Sequence, residues 1–148
     1  MVIVATGFYT GYLPRAPGTW GTILIGLPLC IGTRLLGHEF FLLVFIGLVC
    51  LSVFSSAFME KMLEEKDPSC VVIDEISGFF AAMAFIPLTA VDVISACALF
   101  RLFDIVKPYP IGWIEKRFPG GWGITLDDIL AGLYANILIQ IIGLFLKQ

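Results

Sequence analysis

The segment Phe40–Phe58 contains no charged residue. A membrane-spanning helix needs about 20 predominantly apolar residues, so this segment predicts such a helix. The composition points the same way, because 59% of the chain is apolar and only 14% is charged, whereas a soluble domain carries about 25% charged residues. We therefore predict an integral membrane protein whose 148 residues, 1–148, form a single domain.

Three further apolar stretches accompany this segment. Ile129–Leu146 is typical of a second spanning helix, and Trp20–Leu36 indicates a third although glycines and a proline break it. The remaining stretch, Ile76–Phe100, is long but is interrupted by Pro87 and Asp92. The pattern predicts an all-α membrane bundle with about three spanning helices.

Pro87 leaves two alternatives for the Ile76–Phe100 stretch, because proline breaks or kinks a helix. The stretch is either one kinked span or a re-entrant hairpin that leaves the membrane on the side it entered. The positions of the lysines and arginines favour the hairpin. A span divides them four against five, whereas a hairpin places seven on one side, which are Arg15, Lys61, Lys66, Arg101, Lys107, Lys116 and Arg117.

Only Arg34 and Lys147 then lie on the opposite side. Positive charges concentrate in cytoplasmic loops, so the side with seven cations is predicted to be cytoplasmic. Broken backbone at membrane depth is tolerated only where protein or a cavity covers it. We therefore expect the hairpin to be buried against the other helices.

Five acidic residues border the apolar stretches at three places, and a sixth acid, Asp92, lies within one. Such residues are costly at a membrane unless they are paired or bind a metal. The hairpin topology brings the bordering acids to one face; they are Asp74, Glu75, Asp104, Asp127 and Asp128. Mg²⁺ prefers oxygen ligands and combines a few carboxylates with water and substrate phosphate. The sequence therefore predicts a Mg²⁺ site at this face.

Arg101 and Lys107 flank Asp104 and would share one face of a helix with it. Two cations beside a carboxylate could hold both a metal and a phosphate group. The alternative is an internal salt bridge between Arg101 and Asp104, three residues apart.

Two glycine-containing segments precede predicted helices. In residues 14–22, Thr19 could cap the first helix, whose exposed N–H groups would attract an anion. An ordinary helix start with Trp20 as an interfacial anchor is equally compatible. Residues 120–125 predict a flexible loop before a helix that opens with Asp127 and Asp128, for which favourable charge at the helix N-terminus is the alternative explanation.

Several phosphatase chemistries lack their residues in this sequence. The chain has no Asp-x-Asp motif followed by Thr or Val, no cysteine with an arginine six positions on, and a single histidine. An aspartyl-phosphate, cysteinyl-phosphate or phosphohistidine mechanism is therefore not predicted. Metal-activated water remains as the expected nucleophile for phosphate hydrolysis.

Four motifs together resemble the phosphatidylglycerophosphatase A family. They are GYLPRAPGTWGT at residues 11–22, IDEISG at 73–78, RLFDIVKPYPI at 101–111 and GWGITLDDILAG at 121–132. The resemblance implies Mg²⁺-dependent hydrolysis of phosphatidylglycerophosphate to phosphatidylglycerol in the bacterial inner membrane. It also implies a compact all-helical fold and a phospholipid substrate. The orientation predicted from the cations then places the active site on the cytoplasmic face of the bilayer.

The resemblance implies that the charged motif positions are all present, and the chemistry of these groups suggests a role for each in phosphate hydrolysis. Asp74, Glu75, Asp104 and Asp128 are expected to bind Mg²⁺, and Asp127 or Asp128 is expected to be the general base. Catalytic Arg101 and Lys107 would neutralise charge on the phosphate, and Arg15 and Thr19 would help to bind the substrate. The alternative function is a small channel or cation transporter, whose carboxylates should lie at several depths. A net charge of −3 gives no basic surface for nucleic acid, and the oligomeric state stays open.

Overall fold

The computed structural model describes residues 1–146, so Lys147 lies outside the described residues. The described chain is helical and contains no strand, as the sequence predicts. Its α-helices are α1 (Val2–Ala5), α2 (Pro17–Gly21), α3 (Leu27–Leu35), α4 (His38–Leu63), α5 (Ile73–Met83), α6 (Ala90–Val106), α7 (Ile111–Arg117) and α8 (Gly121–Leu146). A 3₁₀ turn covers Thr10–Tyr12, and a π-helical turn at Thr22–Gly26 joins α2 to α3.

Two of the described helices are long and apolar enough to cross a membrane, namely His38–Leu63 and Gly121–Phe145. At 1.5 Å per residue each extends roughly 39 Å, which exceeds a hydrocarbon core of about 30 Å. The first apolar stretch is helical in three consecutive segments, and none of them reaches that length by itself. The count of about three spanning helices therefore stays a prediction.

Helix α5 forms the centre of the fold. Every one of its residues except Glu75 is buried. The backbones of α5 and α8 approach each other closely where the helices cross, because a Cβ atom on Gly132 would overlap the carbonyl oxygen of Gly78. Two glycines thus let the helix backbones touch, and this contact sets α5 and α8 side by side within one chain.

The third apolar stretch folds as two helices, α5 and α6, on either side of Pro87. Glu75 near the start of α5 contacts Arg101 near the end of α6, so the chain reverses direction between them. This is the hairpin arrangement, although its position relative to a membrane remains a prediction.

Side chains from two other helices satisfy the backbone where α5 ends. Arg34 donates hydrogen bonds to the carbonyl oxygens of Met83 and Ile86, each at 2.9 Å. Asn136 donates from Nδ2 to Ala82 and Ala84, at 2.9 and 2.7 Å. Because a buried carbonyl without a partner is costly, these bonds are what make a broken helix tolerable in an apolar interior.

The glycines of residues 120–123 form a helix start instead of the predicted flexible loop. Helix α8 begins at Gly121, so Asp127 and Asp128 lie in its second turn and do not open it. A Cβ atom on Gly121 would overlap the carbonyl oxygen of Val53 in α4. The glycine therefore serves close packing of α8 on α4, and favourable charge at the helix N-terminus does not explain the two acids.

Candidate active site

A small acidic cavity of about 60 Å³ lies where α5 and α8 begin and α6 ends. All five acids that the sequence predicts to converge line it. The complete lining is Asp67, Asp74, Glu75, Asp104, Lys107, Ile124, Asp127 and Asp128. The hairpin of α5 and α6 explains this convergence, because it returns the chain to the end where α5 began.

Arg101 connects two of the carboxylates at the edge of this cavity. Its Nη1 atom lies 2.8 Å from Oε1 of Glu75 and 3.0 Å from Oδ2 of Asp104. The internal salt bridge considered from the sequence is therefore present, but it is part of a three-residue cluster. The guanidinium group remains partly exposed, with 22% of its side-chain surface accessible.

Lys107 lines the cavity, but it does not share a helix face with Arg101 and Asp104 as predicted. Helix α6 ends at Val106, and Lys107 adopts a left-handed conformation with φ of 43°. Pro108 follows and cannot continue a helix. Lys107 consequently leaves the face of Arg101 and Asp104, and its Nζ atom binds Asp127 at 2.5 Å and Glu115 at 3.1 Å.

Two acids of this region were not among the predicted site residues. Asp67 follows a run of charged residues that is typical of a solvated loop, yet it lines the cavity. Glu115 lies on the short helix α7 and pairs with Lys107. The one sequence signal for Asp67 is its position just before the Asp74–Glu75 motif.

The remaining candidates lie outside the cavity. Arg15 is exposed and has a positive φ of 61°. Thr19 makes no capping hydrogen bond, because α2 begins at Pro17 with Ala16 as its N-cap, so the predicted cap is wrong. Thr89 is the N-cap of α6: its hydroxyl oxygen accepts a hydrogen bond from the Asp92 N–H, and its hydroxyl group donates one to the Asp92 carboxylate. The substrate-binding candidates Arg15 and Thr19 are therefore not among the residues that line the acidic cavity.

Two charged groups beside the cavity that lie outside the helices, Asp67 and Lys107, have shifted pKa values. Burial is the main cause that raises the pKa of Asp67, and Glu115 and Asp104 add to it while Lys107 opposes it. Burial by itself would lower the pKa of Lys107, but the hydrogen bond and charge of Asp127, together with Glu115, raise it above the ordinary value. Lys107 is therefore held as a cation beside the cavity.

The carboxylate set fits a divalent cation. Asp74 and Asp128 are each 4% exposed, and the salt bridges among residues 1–146 give neither of them a lysine or arginine partner. Oε2 of Glu75 is buried and has no hydrogen-bond partner within the described chain. Buried carboxylates need a counter-charge, and a metal ion supplies one.

The same residues do not form a complete protein cage for a metal. Among residues 1–146, no group of three acidic, histidine or cysteine side chains has the arrangement of a ready-made metal site. Mg²⁺ does not require one, since it keeps several waters and uses one or two carboxylates together with phosphate. Asp74 and Asp128 are the first candidates to hold it, with Glu75 and Asp104 beside them.

Buried acids and two cations at one end of an apolar helical bundle define a class of protein: a helical protein with two helices long enough to cross a membrane and an acidic cavity at one end. Within that class, the chain belongs to the phosphatidylglycerophosphatase A family, whose family model matches residues 3–143.

Three curated proteins are similar over nearly the whole chain. A candidate phosphatidylinositol-3-phosphatase of Bacteroides thetaiotaomicron is 40% identical, covering 95% of this chain and 91% of that protein. The phosphatidylglycerophosphatase A of Haemophilus influenzae is 36% identical over 93% of this chain and 85% of its own length. The Escherichia coli protein of the same name is 30% identical over 95% and 82%. No solved structure matches the chain significantly.

Proposed function

We propose that this protein is a Mg²⁺-dependent membrane phosphatase that hydrolyses phosphatidylglycerophosphate to phosphatidylglycerol and phosphate. The observation that carries the proposal is the pair of buried carboxylates, Asp74 and Asp128, which have no cationic side chain as partner in residues 1–146. Family membership and the names of two relatives support the substrate.

The metal would be held by Asp74 and Asp128, with Glu75 and Asp104 as further oxygen ligands. When bound, Mg²⁺ neutralises charge on the phosphate oxygens and lowers the pKa of a water molecule. The protein's own part is to supply the remaining positive charge and to accept a proton.

Arg101 and Lys107 bind the phosphate from two sides. Arg101 presents a planar fork of N–H donors, and Lys107 presents a compact ammonium group. Both are already fixed by carboxylates, Arg101 by Glu75 and Lys107 by Asp127. Preorganised donors of this kind stabilise charge that develops in the transition state.

Asp127 serves as the general base. Its carboxylate accepts the proton of the attacking water, while Lys107 keeps that carboxylate in position through the bond to Oδ2. Asp127 is assigned this role in preference to Asp128 because its charge is engaged by Lys107 and is less available to a metal.

In this proposal α4 and α8 cross the bacterial inner membrane, and the α5–α6 hairpin enters it from the cytoplasmic side. The acidic cavity then lies at the cytoplasmic surface, where it meets lipid headgroups of the inner leaflet. The channel alternative is not favoured, because a conducting path needs polar groups at several depths. Asp92, the acid within the hairpin, instead accepts a hydrogen bond from the N-cap residue Thr89 at the start of α6.

Phosphate release by the purified protein in detergent tests the proposal. Phosphatidylglycerophosphate should be hydrolysed with Mg²⁺ and not with EDTA. Phosphatidylinositol 3-phosphate is the comparison substrate, because one relative carries that activity in its name. Preferential hydrolysis of the inositol lipid would replace the proposed substrate, and no release from either lipid by folded protein would reject the phosphatase function.

A further inference from the structure

A second cavity, here called the α6 groove, runs between the α2–α3 segment and α6. Its volume is about 450 Å³, within the range of roughly 300–1,000 Å³ that is typical of ligand pockets. Thr19, Ile23 and Leu27 form one wall, and Ile94, Ala98 and Arg101 belong to the other. Thr19 and Arg101 are the polar lining residues, and the rest of the lining is apolar.

The polar end of the α6 groove adjoins the acidic cavity. Arg101 lines the groove, and its guanidinium group contacts Glu75 and Asp104. On the opposite wall, α2 lies directly against the same carboxylate, since a Cβ atom on Gly18 would overlap the carboxylate of Glu75. Arg101 therefore lies between the two spaces, since it lines the groove and contacts two carboxylates that line the acidic cavity.

The opposite end of the groove is open and apolar. Ile23 is 42% exposed and Ile94 is 68% exposed. An apolar ligand would cover these side chains. Its binding would be favoured by the removal of apolar surface from water and by additional van der Waals contacts. The ligand that suits the whole space has an apolar tail and, at one end, a group that a guanidinium attracts.

We propose that the α6 groove binds one acyl chain of the phospholipid substrate, so that the phosphate group is delivered to the acidic cavity beside Arg101. This inference rests on the proposed function, since it takes the substrate to be a phospholipid monoester. Thr19 then acts at the junction of chain and headgroup, which gives it a place near the substrate although it lies outside the acidic cavity.

A separate groove, between Phe103 of α6 and helix α8, provides a matched control. That groove has a volume of about 260 Å³ and is lined by Phe103, Tyr134, Ile137, Leu138 and Ile141. None of these residues lines the acidic cavity. A substitution there changes lipid-facing surface on the same bundle without touching the proposed path.

The test compares two forms of phosphatidylglycerophosphate, one with long acyl chains and one with six-carbon chains, in the same detergent with Mg²⁺. Ala98→Phe fills the α6 groove from an exposed position. We expect it to lower kcat/KM for the long-chain lipid by about tenfold, as when two or more methylenes lose their contacts. The short-chain lipid should be hydrolysed at nearly the unchanged rate, which also shows that the variant is folded.

Ile137→Phe, in the other groove, should leave both rates unchanged. If Ala98→Phe does not fold, Ile23→Trp narrows the groove from the opposite wall and should show the same selective loss. Equal losses on both lipids, no loss on either, or an equal long-chain loss in Ile137→Phe would overturn the inference. Failure of the unsubstituted protein to hydrolyse either lipid would instead reject the proposed function.

Discussion

Glu75 and Arg101 are 26 positions apart in the chain and meet in an ion pair of 2.8 Å between Oε1 and Nη1. The pair joins the first turn of α5 to the last turns of α6. It therefore closes the hairpin and at the same time fixes a guanidinium group at the edge of the acidic cavity. The same contact therefore has a structural role and a role in the proposed phosphate binding.

Arg101→Gln should lower phosphate release by about 100-fold, because it removes a preorganised cation from the phosphate site. It also leaves Glu75 and Asp104 to repel each other. Arg117→Gln is the matched control, since Arg117 is exposed and is not among the cavity residues. Comparable activity in the two variants would show that Arg101 has only a structural role.

Gly121→Ala should destabilise the protein by about 1–3 kcal/mol, because the added methyl group overlaps the Val53 carbonyl and forces α8 away from α4. Gly143→Ala on the same helix is the control, since a Cβ atom there has no neighbour within 4 Å. Thermal unfolding in detergent distinguishes them. A Gly121→Ala protein as stable as the control would contradict the close packing of α8 on α4.

Asn136→Ala should destabilise the protein by about 2–3 kcal/mol, because it leaves the carbonyl oxygens of Ala82 and Ala84 without their side-chain donor in a buried site. The exposed neighbour Ile137 offers the control Ile137→Ala. The thermal unfolding midpoints of the two variants, measured in the same detergent, compare their stabilities. An unchanged midpoint for Asn136→Ala would mean that another group, such as water, satisfies these carbonyls.

The proposed topology places Glu65 and Lys116 on the same side of the membrane, because the α5–α6 hairpin between them re-enters. Single cysteines at these exposed positions, in a chain whose four native cysteines are replaced, should both react from the cytoplasm. A cysteine in place of Leu36, which is 71% exposed, should react from the other side. Labelling of positions 65 and 116 from opposite sides would establish a single kinked span instead.

The convergence of the carboxylates was predictable from the sequence, because it depends on the topology of the helices. The positions of the lysines and arginines along the chain in turn favour one topology. Counting lysines and arginines favoured a hairpin, and a hairpin brings Asp74 and Asp104 together without any knowledge of packing. The all-helical fold was predictable for the same kind of reason, from charge-free segments such as Phe40–Phe58.

The local details depended on contacts that a single sequence does not reveal. The glycines of residues 120–123 indicate a loop in the sequence, yet Gly121 lies in a helix and packs against the Val53 carbonyl of α4, which is distant in the chain. Lys107 left the predicted helix face because the chain turns before Pro108. Asp67 sits in a charged run whose composition is that of a solvated loop, and only the tertiary fold turns it toward the cavity.

Asp74 and Asp128 are proposed to hold the divalent cation that the reaction requires, which explains why two carboxylates are buried without a cationic side chain as partner. Removing either charge should abolish turnover without loss of the fold, and the fold should even gain stability because a buried, unpaired carboxylate is costly. Asp92→Asn is the control, since Asp92 is an acid of the same chain that lies away from the cavity.

The most direct measurement is Mg²⁺-dependent phosphate release from phosphatidylglycerophosphate by Asp74→Asn and Asp128→Asn, with unfolding midpoints recorded on the same preparations. We predict a loss of at least about 100-fold in both variants, unfolding midpoints equal to or above that of the unsubstituted protein, and normal release by Asp92→Asn. Near-normal release by both cavity variants would show that neither Asp74 nor Asp128 holds a cation that the reaction requires.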